Sequence, residues 1–198
     1  MNYYHGSTIS GITELRPSAN EGNNLKLPCI YLTTNPQLAI HYIRDKNRLW
    51  SSPTLDIRED GVLVFQEMFS DALAYMYSGV SGYVYRVTGA YGINTVPGVR
   101  FAAISEKAVP VADSVHIPDV YSAILSFAER GLFIYERYED LPQQRHKKIQ
   151  DWVLKWIEDG DWINKPDEPM ARFYKEKWPE YWLMAEFHAK KQKSGTIG

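Results

Sequence analysis

The order of apolar and polar positions divides the chain into a series of short apolar runs followed by a region of longer amphipathic segments. Residues 2–5 open with a strand-like run, and the polar, Gly- and Asn-containing stretch over 7–26 reads as a long loop. A second apolar run, 28–33, predicts a strand. Thr34-Asn35-Pro36 then supplies an N-cap in Asn35 and a first helical residue in Pro36. Leu38, Ala39, Tyr42 and Ile43 recur at three- and four-residue spacing, which predicts a helix to about residue 47 laid on a sheet. Another loop is expected over 50–61. Val62-Leu63-Val64-Phe65 predicts a buried strand within 61–68, and Ser70 is expected to cap a helix reaching Tyr77. Residues 83–87 and 100–105 read as strands separated by Gly89, Gly92, Pro97 and Gly98, and 109–111 as the next strand.

After Pro118 the texture changes. Helices are expected over 119–129 and 142–158, the second carrying Ile149, Trp152, Val153, Trp156 and Ile157 on one apolar face. Five of the six Trp lie between Trp152 and Trp182, and Pro169 and Pro179 stand where two further short helices would begin. Several strands with a few helices and no regular βαβ repeat predict an α+β fold, with a core over 1–117 and a helical C-terminal appendage over 118–198. No internal repeat is present.

Composition narrows this picture without changing it. A chain of 198 residues with 44% hydrophobic and 23% charged residues has the make-up of a globular protein able to bury its own core. A formal net charge of −2 gives no general attraction for nucleic acid or an anionic membrane. The single Cys29, in an apolar run, reads as a small buried hydrophobe. No basic start followed by an apolar block and no run of eighteen apolar residues is visible, so a cytoplasmic protein without a membrane partner is expected. The five His lack ligand-spaced partners, so no metal is expected. Arg145-His146-Lys147-Lys148 reads as a solvated helical face.

Candidate chemistry begins at Tyr4-His5-Gly6-Ser7, where an imidazole stands at a strand end beside a glycine whose bare backbone lets a ligand approach. It continues in Ile30-Tyr31-Leu32-Thr33-Thr34 and, eleven residues after Tyr31, in Tyr42 on the following helix. A Tyr-His-Gly-Ser start, a Tyr-x-Thr strand and a second tyrosine on the next helix resemble the ADP-ribosyltransferase family in its His-Tyr-Glu branch, the diphtheria-toxin-like and rifampin-transferase-like members. The resemblance covers residues 3–43 well, 83–111 loosely and the C-terminal third not at all. It implies a split β-sheet core that binds NAD as substrate through His5, Gly6, Ser7, Tyr31, Thr33 and Tyr42. His5 would hold the ribose hydroxyls, Gly6 would offer its backbone to the carboxamide, and the two tyrosines would sandwich the cationic nicotinamide ring.

The same resemblance implies a glutamate on a later strand to stabilise the oxocarbenium-like ribose left by nicotinamide departure. Glu106, before the 109–111 run, is the candidate, with Glu67 in reserve. Position 108 is Ala, so the Glu-x-Glu pair of arginine-modifying members is absent. The expected activity is transfer of ADP-ribose to an undefined acceptor: a protein side chain, a nucleic-acid base, a small molecule or water. The rival expectation is a catalytically inactive binding module of the same fold, of phage-accessory or toxin-antitoxin type. A third, an NAD-using RNA 2′-phosphotransferase, is disfavoured by the acidic pI.

Overall fold

The computed structural model describes residues 1–18, 28–49, 55–88 and 92–195. Parts of the two predicted loops, 19–27 and 50–54, together with residues 89–91, which include Gly89, and the last three residues, lie outside the described residues. The chain divides into two compact units: Met1–Lys46, Ser51–Phe65 and Leu73–Tyr135 form the first, and Asn47–Trp50, Gln66–Ala72 and Glu136–Gly198 the second.

The first unit is α+β with antiparallel pairing. It contains β1 (Asn2–Ser7), β2 (Glu14–Leu15), β3 (Ile30–Thr33), α1 (Pro36–His41), β4 (Leu55–Ile57), β5 (Leu63–Gln66) and α2 (Ala72–Tyr77). It continues with β6 (Gly82–Thr88), β7 (Ile93–Thr95), β8 (Ala102–Ser105), β9 (Val109–Pro110), β10 (Asp113–Ile117), α3 (Val120–Glu129) and β11 (Phe133–Glu136). The last residues of β5 and β11 and the first of α2 are assigned to the second unit. The main sheet has the order β10-β6-β1-β3-β8-β7, and a smaller one has the order β11-β5-β4.

Alternation along the strands gives the main sheet two faces. Tyr3, Ile30, Leu32, Val87 and Ala103 point to one, where Leu15 of β2 and Val109 of β9 complete a buried cluster. The β2–β9 ribbon that closes this cluster is formed partly from a stretch expected to be loop, because Leu15 supplies a single apolar anchor in a polar context. The opposite face receives α1 and, beside it, α3 with Val120, Ile124 and Phe127 buried. Asp119 caps α3 by accepting from the Ser122 N–H at 2.6 Å.

One predicted helix differs in extent. The first helix starts as expected, with the Asn35 side chain accepting from Leu38 N–H, but it stops at His41 and not near residue 47. The helix closes in tighter bonds, Tyr42 N–H donating to the Ala39 carbonyl at 3.2 Å and Ile43 N–H to the Ile40 carbonyl at 3.0 Å, and Ile43 is fully buried with its Cγ1 3.1 Å from where a Gly6 Cβ would stand. The strands β4, β7, β10 and β11 were not expected: β4 lies in the stretch read as a loop over 50–61, and β10 carries the pattern of an exposed edge strand, with too little apolar alternation to register. The helix α3 and all but the last residue of β11 fall in the first unit.

The second unit is built on α4 (Gln143–Asp159), α5 (Pro169–Lys177) and α6 (Pro179–Gly195). Both prolines open their helices as predicted, although α6 runs to 17 residues and is not short. On α4 the buried positions are Ile149, Val153 and Ile157, one per turn, whereas Trp152 on the expected apolar face is 41% exposed. Trp178 is the centre of this unit: it is fully buried, meets Phe69 and Phe173 edge to face, and donates from Nε1 to the Met68 carbonyl at 2.8 Å. No described helix is long and apolar enough to cross a membrane.

Candidate functional site

The site follows from an inequality in how β1 is paired. All six residues of β1 pair with β6, from Asn2↔Thr88 to Ser7↔Tyr83, whereas β3 offers β1 the single register pair Tyr4↔Thr33 among the described residues. Beyond that pair the two strands separate. The Tyr31 carbonyl, which a continuing ladder would engage with β1 backbone, is met instead by the His5 side chain, with Nδ1 2.9 Å from the oxygen.

That contact fixes the imidazole chemically. A carbonyl oxygen only accepts, so Nδ1 carries the proton and donates, which leaves Nε2 of neutral His5 as an acceptor. Burial lowers the His5 pKa, the bond to Tyr31 opposes this, and the Lys46 charge lowers it further. The net shift is downward, so His5 is neutral at pH 7 with one lone pair to offer.

Gly6 is explained first by packing. Its missing Cβ leaves the space in which α1 lies, and a Cβ there would overlap the Ala39 carbonyl oxygen. The glycine therefore brings α1 down onto β1. Because Tyr42 is the C-cap of α1, this contact also sets the position of the second tyrosine. Tyr31 alternates with the buried Ile30 and Leu32, so it points to the same sheet face as α1. Tyr31 and Tyr42 are 37% and 48% exposed, large for aromatic residues beside a core. Burial raises the Tyr31 pKa, the Cys29 thiol hydrogen-bonded to it adds to this, and Tyr42 contributes electrostatically. Burial likewise raises the Tyr42 pKa, opposed by Arg44. Both phenols stay protonated at neutral pH. Cys29 is buried and free of any disulfide, and its contact with Tyr31 was not legible from a lone cysteine in an apolar run.

Ser7 and Thr33 make local bonds. The Ser7 Oγ accepts from the Ile9 N–H at 3.1 Å, and Thr33 is buried with Oγ1 accepting from the Asn35 N–H at 3.0 Å. Thr33 thus shapes the turn that presents α1.

Glu106 follows the last residue of β8, Ser105, whose register partner on β3 is Ile30, the neighbour of Tyr31. It is exposed and makes no ion pair with the described residues. Its turn is fixed by Ser105, whose buried hydroxyl donates to the Lys107 carbonyl at 2.8 Å and accepts from the Lys107 N–H at 3.2 Å. Ser105 was not singled out in the sequence; its signal is a hydroxyl two residues before the backbone group it bonds. The reserve carboxylate, Glu67, lies in the second unit, fully buried, with Oε2 accepting from the Tyr138 N–H at 3.1 Å.

Another histidine beside the site is structural. His41 at the end of α1 is fully buried, stacks on Phe133 with centroids 5.3 Å apart, and lies 3.3 Å through Nδ1 from the Tyr77 hydroxyl. That hydroxyl donates to the His41 carbonyl at 3.0 Å. Burial pushes the His41 pKa down to about 3. Among the described residues, no group of three or more His, Cys, Asp or Glu stands together in a way that could hold a metal ion.

No family model matches the chain, and no curated protein or solved structure matches it at a significant level.

Proposed function

We propose that the first unit is an ADP-ribosyltransferase-type domain that binds NAD and transfers its ADP-ribose to an acceptor in the cytoplasm. The observation that carries this reading is the separation of β1 from β3 after Tyr4 and Thr33, with His5 held by the Tyr31 carbonyl at the point of opening. The opening leaves the β3-facing edge of Gly6 and Ser7 without a ladder partner on β3, a place for a carboxamide to complete the hydrogen bonding of the strand. Neutral His5 offers Nε2 to a ribose hydroxyl. Tyr31 and Tyr42, protonated and exposed on one sheet face, offer π surfaces to a pyridinium cation.

In this reading the glycosidic bond between ribose C1′ and the nicotinamide nitrogen breaks, and its electron pair neutralises the pyridinium. The ribose develops oxocarbenium character, which the Glu106 carboxylate stabilises. An acceptor nucleophile then bonds to C1′ and gives up its proton. Holding ring and ribose in one pose supplies orientation before the bond stretches.

The exposure of Glu106 supports a second reading, a module of the same fold that binds NAD without turning it over. Incubation of purified protein with NAD, following nicotinamide release, separates the two. Release that disappears in Glu106→Gln while NAD binding persists supports the transferase; binding without release in either protein supports the binding module. Absence of both binding and release overturns the NAD reading.

A further inference from the structure

The last helix is apolar on two sides. Tyr181 and Trp182 are buried, and α6 packs against α4 and α5 within the second unit. Leu183 and Phe187, one turn apart, are each 65% exposed, and Met184 beside them is 41% exposed. Spaced at three and four residues, Glu180, Leu183, Met184, Phe187 and Lys190 form one stripe along the side that Tyr181 and Trp182 leave to solvent. The Gln150 side-chain amide donates to the Met184 Sδ at 2.8 Å and ties the edge of this stripe to α4. The other carboxylate of the helix, Glu186, accepts from Trp182 Nε1 at 2.8 Å, so Glu180 is the acidic group of the stripe. Glu180 and Lys190 are both exposed. A single exposed Leu is ordinary, whereas contiguous large apolar side chains rimmed by charge mark an interaction surface.

We infer that this stripe is a self-association surface, on which α6 of a second copy of this chain lies antiparallel. The charges select that occupant. The stripe is acidic at its N-terminal end and basic at its C-terminal end, with about 15 Å of helix between Glu180 and Lys190. Parallel pairing of two copies brings Glu180 onto Glu180 and Lys190 onto Lys190. Antiparallel pairing about a twofold axis level with residue 185 brings Glu180 of each copy beside Lys190 of the other, and Leu183 of each beside Phe187 of the other. Every contact in such a pair occurs twice, so three apolar side chains from each copy are enough for weak association. A formal net charge of −2 on each chain opposes the approach of two copies only slightly.

The test is analytical ultracentrifugation of the full chain over a concentration series. Wild-type protein is expected to pass from monomer to dimer with a dissociation constant of about 10–100 µM, as suits a small interface. Leu183→Ser/Phe187→Ser, at exposed positions, is expected to keep its circular dichroism spectrum and to weaken association more than about tenfold; if it is not folded, Phe187→Ser alone is used. Glu180→Lys and Lys190→Glu should each weaken the dimer about threefold, because like charges then meet, and the exchange Glu180→Lys/Lys190→Glu should restore it. A monomer at every concentration, or a dimer indifferent to the loss of Leu183 and Phe187, overturns the self-association surface. Binding of that monomer to phosphatidylserine vesicles, lost in Leu183→Ser/Phe187→Ser, would assign the stripe to a lipid surface instead. A dimer that needs Leu183 and Phe187 but is not restored by the charge exchange overturns the antiparallel register.

Discussion

Gly6 on β1 lies directly beneath the carbonyl of Ala39 on α1, in contact through the space where any other residue would carry a Cβ. Helix and sheet meet at backbone distance there, and both Tyr42 and Ile43 take their positions from that contact. Gly6→Ala forces α1 away from β1 and is expected to cost at least about 2 kcal/mol, because the clash is with backbone and not with a side chain that can swing aside. A lowered urea midpoint with an unchanged slope is the expected result; a midpoint equal to wild type would mean that α1 is not seated on β1.

The His5 and tyrosine roles separate by pH and by substitution. Under the proposed NAD reading, Tyr31→Ala and Tyr42→Ala should each weaken NAD binding about threefold to thirtyfold, and Tyr31→Phe should largely retain it, since that reading uses the π face and not the hydroxyl. With its pKa lowered, His5 keeps a free Nε2 acceptor throughout the range above its ordinary value of 6.5. Binding titrations should therefore be flat from pH 8 to 6.5 and fall only in acid, where Nε2 gains a proton. A rise in affinity on acidification would assign His5 a donor role instead.

His41 sets an acid limit on stability. Its pKa is about 3 when folded, against 6.5 as the ordinary value, so between these two pH values the unfolded chain binds a proton that the native one does not. The stability contributed by neutral His41 is present above 6.5 and is lost as pH falls, by about 1.4 kcal/mol for each unit, or about 3 kcal/mol by pH 4. His41→Phe retains a ring against Phe133 and should flatten this part of the curve. Parallel losses in wild type and variant would show that other groups govern acid unfolding.

In the second unit the indole of Trp178 joins packing to a single hydrogen bond. Trp178→Phe leaves the Met68 carbonyl without this donor and should cost about 1–3 kcal/mol, whereas Trp178→Ala should cost about 3–5 kcal/mol by opening a cavity between Phe69 and Phe173. Chemical unfolding of the two variants, monitored by circular dichroism, measures the difference; equal losses would mean that the hydrogen bond carries no separate weight.

Local chemistry made much of the fold legible from the chain alone. Asn35 followed by Pro36 started a helix because capping and a fixed φ are properties of those residues wherever they occur. The apolar strand 28–33, the strand around Val64 and the helix with Ile149, Val153 and Ile157 were read from periodicity, which a half-buried element imposes on its own sequence. The α+β class followed from their order.

What the sequence by itself determined, then, was the set of elements whose signals lie within a few residues; it also singled out His5, Tyr31, Tyr42 and Glu106 as candidates for a ligand site. Tertiary structure alone decided that β1 and β3 share a single register pair among the described residues, that His5 bonds to a carbonyl 26 residues away, and that Ile43 fills a notch made by Gly6 and Gly82. It also showed Thr33 and Glu67 bonded to backbone, and His41 buried in an aromatic pocket. These outcomes depend on which distant residues meet, and a chain records that only through packing and strand register.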